Sequence, residues 1–294
     1  MSIVNFTSEN KLLFSISMSI LFWLLFMALA GMRRMALPAS GLDLNNIFIL
    51  AGQSNMAGRG GVVDNNWDGI VPTQCEPNPS VFRLNARLSW VEAAEPLHAD
   101  IDVNKTCGIG PGMAFANEVK SKDSSAGVVG LVPCAVGGTT ITEWMKGSHL
   151  YEQMVSRARS SLKEGGTIRA ILWFQGESDT VNRSDAEAYK GRMETLIADW
   201  RADLNSPMLQ VIQVALASGM GPFVGIVREA QLGIELPKVK CVDAMGLPLQ
   251  ADGLHLTTAA QVSLGQLLAA AFLNDDTPPT LSTSNARKRC YPFF

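Results

Sequence analysis

The chain has 294 residues, 47 % hydrophobic and 17 % charged, with a net charge of −3. That length accommodates one large domain with a sizeable core, and the slight acidity, without a basic stripe, excludes a nucleic-acid-binding surface. Three histidines (His98, His149 and His255) and five cysteines stand in no HExxH, HxxEH or CxxC spacing, so no metal centre is expected.

In chain order, residues 12–32 carry no charge. A helix there would reach ~31 Å, close to the ~30 Å hydrocarbon core of a bilayer. Ala28-Leu29-Ala30 before Gly31 has the small-x-small form of a signal-peptidase site. Residues 1–32 are therefore expected to be a cleaved signal or an uncleaved anchor. Arg33 and Arg34 would hold the body cytosolic by the positive-inside rule. Asn104-Lys105-Thr106 and Asn182-Arg183-Ser184 are glycosylation acceptors that suit the lumenal side, and the secretory reading is preferred. Residues 33–45 read as a linker and 274–294 as a disordered tail.

The body, 46–273, alternates apolar runs with amphipathic stretches. Strands are expected at 46–51, 126–135, 168–174, 209–215 and 239–243. Helices are expected at 113–120, 150–163, 185–204, 222–236 and 257–273. Strands separated by helices imply a parallel sheet covered on both faces. Residues 60–110 lack such periodicity and form a long excursion after the first strand. Cys75 and Cys107 lie in it and would be the disulfide of an oxidising compartment; Cys134 and Cys241 read as buried thiols.

Two segments carry chemistry. In Ile47-Phe48-Ile49-Leu50-Ala51-Gly52-Gln53-Ser54-Asn55-Met56 an apolar run turns abruptly polar, delivering a serine to the carboxyl edge of a parallel sheet. This is not the GxSxG elbow, because Met56 replaces the second glycine. A serine after a strand is more often a helix cap than a nucleophile. Asp252-Gly253-Leu254-His255 changes that reading. The short spacing lets the carboxylate fix one ring nitrogen of His255 and leaves the other for Ser54.

These runs, with Trp173-Phe174-Gln175-Gly176-Glu177-Ser178-Asp179, Gly108-Ile109-Gly110-Pro111-Gly112-Met113 and Pro133-Cys134-Ala135-Val136-Gly137-Gly138-Thr139, resemble the plant sialate O-acetylesterase-like proteins. Those belong to carbohydrate esterase family 6 of the SGNH hydrolase superfamily. The resemblance spans about residues 45–273. It implies Ser54 as nucleophile, Asp252 and His255 as acid and base, and Gly137 or Gly138 as an oxyanion-hole glycine. The superfamily's Gly-x-Asn-Asp is absent, and the Gln175 amide is the expected substitute donor.

Glu177 could support His255 or bond Gln53 or Arg59; a supporting role is expected, alongside Gln53, Asn55 and Gly137. His98 is expected to order a loop, His149 to be exposed, and Glu143 and Trp144 to line the pocket, with Trp144 equally suited to the core. The fold expected is a three-layer α/β/α sandwich, SGNH or flavodoxin-like, with a mostly parallel five-stranded sheet. The reaction expected is removal of an O-acetyl group from a sugar. Ser54, Gly138 and Gln175 would stabilise the oxyanion, and no cofactor is implied. The partner is an acetylated carbohydrate, with membrane attachment through the amino-terminal segment if uncleaved. The rival readings are a catalytically silent carbohydrate-binding module and an esterase acting on lipid or small non-sugar esters.

Overall fold

The computed structural model describes residues 44–274 and the backbone of Cys290–Tyr291. The hydrophobic segment 12–32 and most of the tail lie outside the described residues. Among those described, no helix is long and apolar enough to cross a membrane.

The strands are β1 (Asn46–Gly52), β2 (Val62–Val63), β3 (Asn66–Trp67), β4 (Val81–Leu84), β5 (Trp90–Glu92), β6 (Val129–Pro133), β7 (Ile168–Phe174), β8 (Gln210–Ala215), β9 (Val239–Asp243) and β10 (Cys290–Tyr291). The helices are α1 (Ser54–Ala57), α2 (Pro111–Lys122), α3 (His149–Ser161), α4 (Arg183–Asp203), α5 (Val224–Leu232) and α6 (Thr258–Leu273). One sheet takes the order β10-β9-β8-β7-β1-β6-β4-β5. Its neighbours are all parallel except β4 and β5. The α/β class holds, and the five expected strands are present, but the sheet has eight strands. The added β4 and β5 have four and three residues, too short to show a period of two. Cys290–Tyr291 forms a strand inside the expected tail. Leu44, at the end of the expected linker, is buried and belongs to the body.

β1 lies centrally and is buried along its whole length. Residues apolar on both sides of the strand suit a parallel sheet covered on both faces. Phe48 meets Phe115 of α2 and Phe272 of α6 edge-on, with centroids 4.8 and 4.9 Å away. Trp173 of β7 is in register with Ala51, three residues beyond Phe48, and so faces the other way. There it stacks edge-on with Trp144 and with Trp200 of α4, each at 5.3 Å. The two clusters are the cores of the two helical layers. Helices α2 and α6 approach so closely that a Cβ at Gly265 would lie 2.5 Å from the Pro111 carbonyl oxygen.

From β1 the chain builds β4, β5 and β6 on one side, then crosses to β7 on the other. Such a reversal opens a crevice at the carboxyl ends of the strands. The loops after β6, β1 and β7 all emerge there.

Candidate active site

Gly52 ends β1 with φ +132°, and a Cβ there would come 2.0 Å from the Phe174 carbonyl oxygen of β7. Only glycine permits that approach, and it lets the chain turn sharply into α1. Ser54 is the first residue of that short helix. His255 arrives from the loop between β9 and α6, whose start is capped by the Thr257 side chain accepting from the Ala260 N–H. The Ser54 Oγ lies 2.9 Å from His255 Nε2, and His255 Nδ1 lies 2.7 Å from Asp252 Oδ2. The other carboxylate oxygen, Asp252 Oδ1, accepts the backbone N–H groups of Leu254 (2.9 Å) and His255 (3.0 Å). Partial burial pushes the Asp252 carboxyl up, but these bonds and the imidazole outweigh it and hold the group below the usual carboxylate range. The three side chains expected to act together are thus brought together in a serine–histidine–aspartate relay.

A cleft of about 370 Å³ opens beside Ser54 and His255, lined by Gln53, Arg59, Gly137, Gly138, Lys105 and Met220 among others. Gly138 has φ +80°, and no heavy atom lies within 4 Å of where its Cβ would stand. No hydrogen bond among the described residues takes the N–H of Ser54 or of Gly138. Both can therefore serve a negative charge that develops beside the Ser54 hydroxyl. The Gly137 N–H cannot, because it donates to Asp102 Oδ2 at 3.1 Å. Of the two glycines, only Gly138 has an N–H without a hydrogen-bond partner among the described residues.

Gln175 departs from expectation. It is fully buried, and its amide nitrogen donates to the Thr139 carbonyl (2.8 Å) and to Asp179 Oδ2 (2.6 Å). Asp179, four residues further on, captures the group, and no amide proton is left for an oxyanion. The buried Tyr189 hydroxyl donates to Gln175 Oε1 at 3.1 Å and fixes its other end.

Glu177 does not touch His255. Its Oε1 accepts from Asn55 Nδ2 at 2.7 Å, and Asn55 Oδ1 accepts the Leu256 N–H at 2.9 Å. Asn55 Nδ2 also reaches the Leu254 carbonyl at 3.4 Å. Asn55 thereby grips both neighbours of His255, and Glu177 grips Asn55. One end of the Gln53 amide lies 3.2 Å from Glu177 Oε2 and 3.1 Å from the Thr139 carbonyl, and with its nitrogen turned to that side it donates to both. Of the expected partners of Glu177, Gln53 is present and Arg59 is not, because Arg59 pairs with Asp102.

Burial lifts the Glu177 carboxyl to about 7, against the pull of its Asn55 bond, and lifts Asp179 to about 6. Unfolded, Glu177 would ionise near its ordinary 4.5. Its contribution to stability is therefore full below that value and is lost as pH rises through the folded one. Glu177→Gln removes the titration and keeps an oxygen for Asn55. Chemical denaturation should show the variant gaining on the wild type as pH rises from about 4.5 to about 8. A pH-independent difference would mean that Glu177 is ionised throughout.

Other expectations fall away from the cleft. Glu143 is exposed and closes a capping box with Thr140. Trp144 is wholly buried, its indole N–H donating to Thr139 Oγ1 at 3.0 Å. His149 is exposed at the start of α3. The ring of His98 is buried, and burial pushes its basicity down to about 3; its backbone carbonyl accepts the N–H groups of Ile101 and Asp102. Cys75 and Cys107 are separate buried thiols, not a disulfide, and burial raises them to about 12 and about 11. Cys75 sits in the apolar core, whereas Cys107 Sγ lies 3.5 Å from Arg59 Nη1. The sequence reading missed Asp102, Asp179 and Met220; none stands in a periodic pattern or a charged cluster that marks it.

Residues 44–274 match the family described as carbohydrate esterase, sialic acid-specific acetylesterase. A probable carbohydrate esterase of Arabidopsis thaliana is 58 % identical over 243 residues, 80 % of this chain and 93 % of that protein. The X-ray structure of that Arabidopsis protein superposes with a TM-score of 0.77 at 59 % identity, covering 79 % of this chain and 99 % of that one. NanS shares the fold with a TM-score of 0.63 at 16 % identity, covering 79 % of this chain and 98 % of its own. With the match extending over the whole described body, the chain belongs to the sialic acid-specific acetylesterase family of carbohydrate esterases.

Proposed function

We propose that the chain hydrolyses acetyl esters of a sugar or polysaccharide with Ser54 as nucleophile. The observation that carries this is the continuous path Ser54 Oγ–His255 Nε2–His255 Nδ1–Asp252 Oδ2, with links of 2.9 and 2.7 Å. Ser54 Oγ bonds to the acetyl carbon while its proton passes to His255 Nε2. The negative charge gathers on the carbonyl oxygen, in reach of the Ser54 and Gly138 N–H groups. Asp252 stabilises the imidazolium. Collapse breaks the ester bond, and the departing sugar oxygen takes the proton from Nε2. Water then repeats the sequence on the acetyl-serine: its proton goes to Nε2, its oxygen to the acetyl carbon. Ser54 leaves with the proton, and acetate is released. No step requires a metal or an organic cofactor.

A silent binding module would not need this alignment of hydroxyl, imidazole and carboxylate. The full chain, offered acetylated xylan, acetylated pectin and small acetyl sugars, is expected to release acetate from at least one. Inertness toward all of them and toward 4-nitrophenyl acetate would favour the silent reading. Preference for a lipid ester would replace the sugar.

A further inference from the structure

We infer that Asp102 and Arg59 are positioning residues that hold the oxyanion loop in register with the nucleophile; this rests on the esterase reading above. Asp102 comes from the irregular excursion and is buried, and so is Arg59. One oxygen of Asp102, Oδ2, accepts from both Arg59 Nη2 and the Gly137 N–H. Arg59 Nη1 donates to the Gly58 carbonyl at 2.9 Å, at the end of the turn that carries Ser54. The Arg59 carbonyl accepts from Gln250 Nε2 at 2.6 Å, and the Gln250 N–H donates to the His255 carbonyl at 2.7 Å. The buried ion pair therefore ties the nucleophile turn to the loop with Gly138, and the Arg59 backbone carbonyl joins the loop with His255 to the same turn.

The packing at Gly137 shows how little freedom the loop has. A Cβ there would stand 2.5 Å from Arg59 Nη2, 3.1 Å from Asp102 Oδ2 and 3.4 Å from Ser54 Cβ. The loop lies against the ion pair on one side and the nucleophile on the other. By taking the Gly137 proton, Asp102 leaves the next N–H, that of Gly138, to face the cleft. An oxyanion hole works only if its donors are already aimed where the charge develops. Asp102 supplies that aim without touching the substrate. Its carboxylate is not part of the His255 relay, so its loss should lower the transition-state interaction and leave the titration of the relay in place.

The test compares Asp102→Ala and Asp102→Asn with the wild-type full chain. It reads kcat and KM on 4-nitrophenyl acetate, the pH profile, and the rate of Ser54 labelling by a fluorophosphonate. Asp102→Ala is expected to lose about 10²-fold in kcat and in labelling rate, with KM within about threefold and the pH midpoint unmoved. Asp102→Asn, whose amide oxygen can take the place of Oδ2, should recover at least about tenfold of that loss. Should Asp102→Ala not fold, Arg59→Lys is read in the same way; it keeps the charge but not the two-pronged geometry, and it too should lower kcat with KM held. A folded Asp102→Ala or Arg59→Lys variant with kcat within threefold of an active wild type overturns this inference alone. A wild type inert to both ester and fluorophosphonate overturns the esterase reading and this inference with it.

Discussion

Ser54→Ala is expected to abolish acetyl-ester hydrolysis while the thermal unfolding midpoint stays close to that of the wild type. Among the described residues the hydroxyl makes one side-chain hydrogen bond, with His255 Nε2 at 2.9 Å, at the edge of a cleft. Its removal empties no core cavity. The Cβ stays beside the Gly137 loop, and α1 keeps its backbone bonds to Gln53 and Ser54. Chemically the loss is complete, because water must replace a held nucleophile; losses from such residues are roughly 10⁴-fold or more. The measurement is kcat on an acetyl ester beside a thermal melt. Retention of more than about a tenth of wild-type kcat would reject Ser54 as nucleophile.

How much of this site was legible beforehand follows from distance along the chain. Ser54 announces itself by an apolar strand that stops at Gly52, and Asp252 and His255 by three-residue spacing before a helix. Those are local signals, whereas the glycine, Gly137 or Gly138, is implied by the family resemblance alone; the structure places all of these residues around one cleft. The five long strands and five long helices were legible for the same reason as the local signals: each strand is a largely apolar run, and each helix keeps an amphipathic stretch, over enough residues to be read. What failed depends on partners far away. Gln175 looks like a donor until Asp179, Tyr189 and the Thr139 carbonyl are seen to consume its amide. Asp102 lies 43 residues from Arg59 and 35 from Gly137, in sequence without periodicity. Nothing in its neighbours says that it will be buried. The Cys75–Cys107 pairing failed similarly: both lie in the irregular excursion, but one packs into the core and the other against a guanidinium.

Asp252→Asn should be nearly as damaging as loss of the serine, and the geometry says why. Asp252 Oδ1 is held by two backbone N–H groups, those of Leu254 and His255. In the variant, the amide oxygen must stay with those donors, because an NH₂ group there would face two N–H groups. The amide nitrogen is then forced toward His255 Nδ1, 2.7 Å away in the wild type. It can only donate, so Nδ1 becomes the acceptor and the ring proton moves to Nε2. That proton now points at Ser54, and the imidazole can no longer act as base. A loss of about 10⁴-fold in kcat is expected, with little change in KM. Glu177→Gln is the informative contrast. An amide oxygen can still accept from Asn55, so the grip on Leu254 and Leu256 is retained, and activity should stay within about tenfold of wild type. Measured side by side, the two variants separate the carboxylate that sets the tautomer from the one that holds the loop. If Glu177→Gln collapses activity while Asp252→Asn leaves it nearly intact, the two roles are exchanged and His255 takes its charge partner from the far side of Asn55.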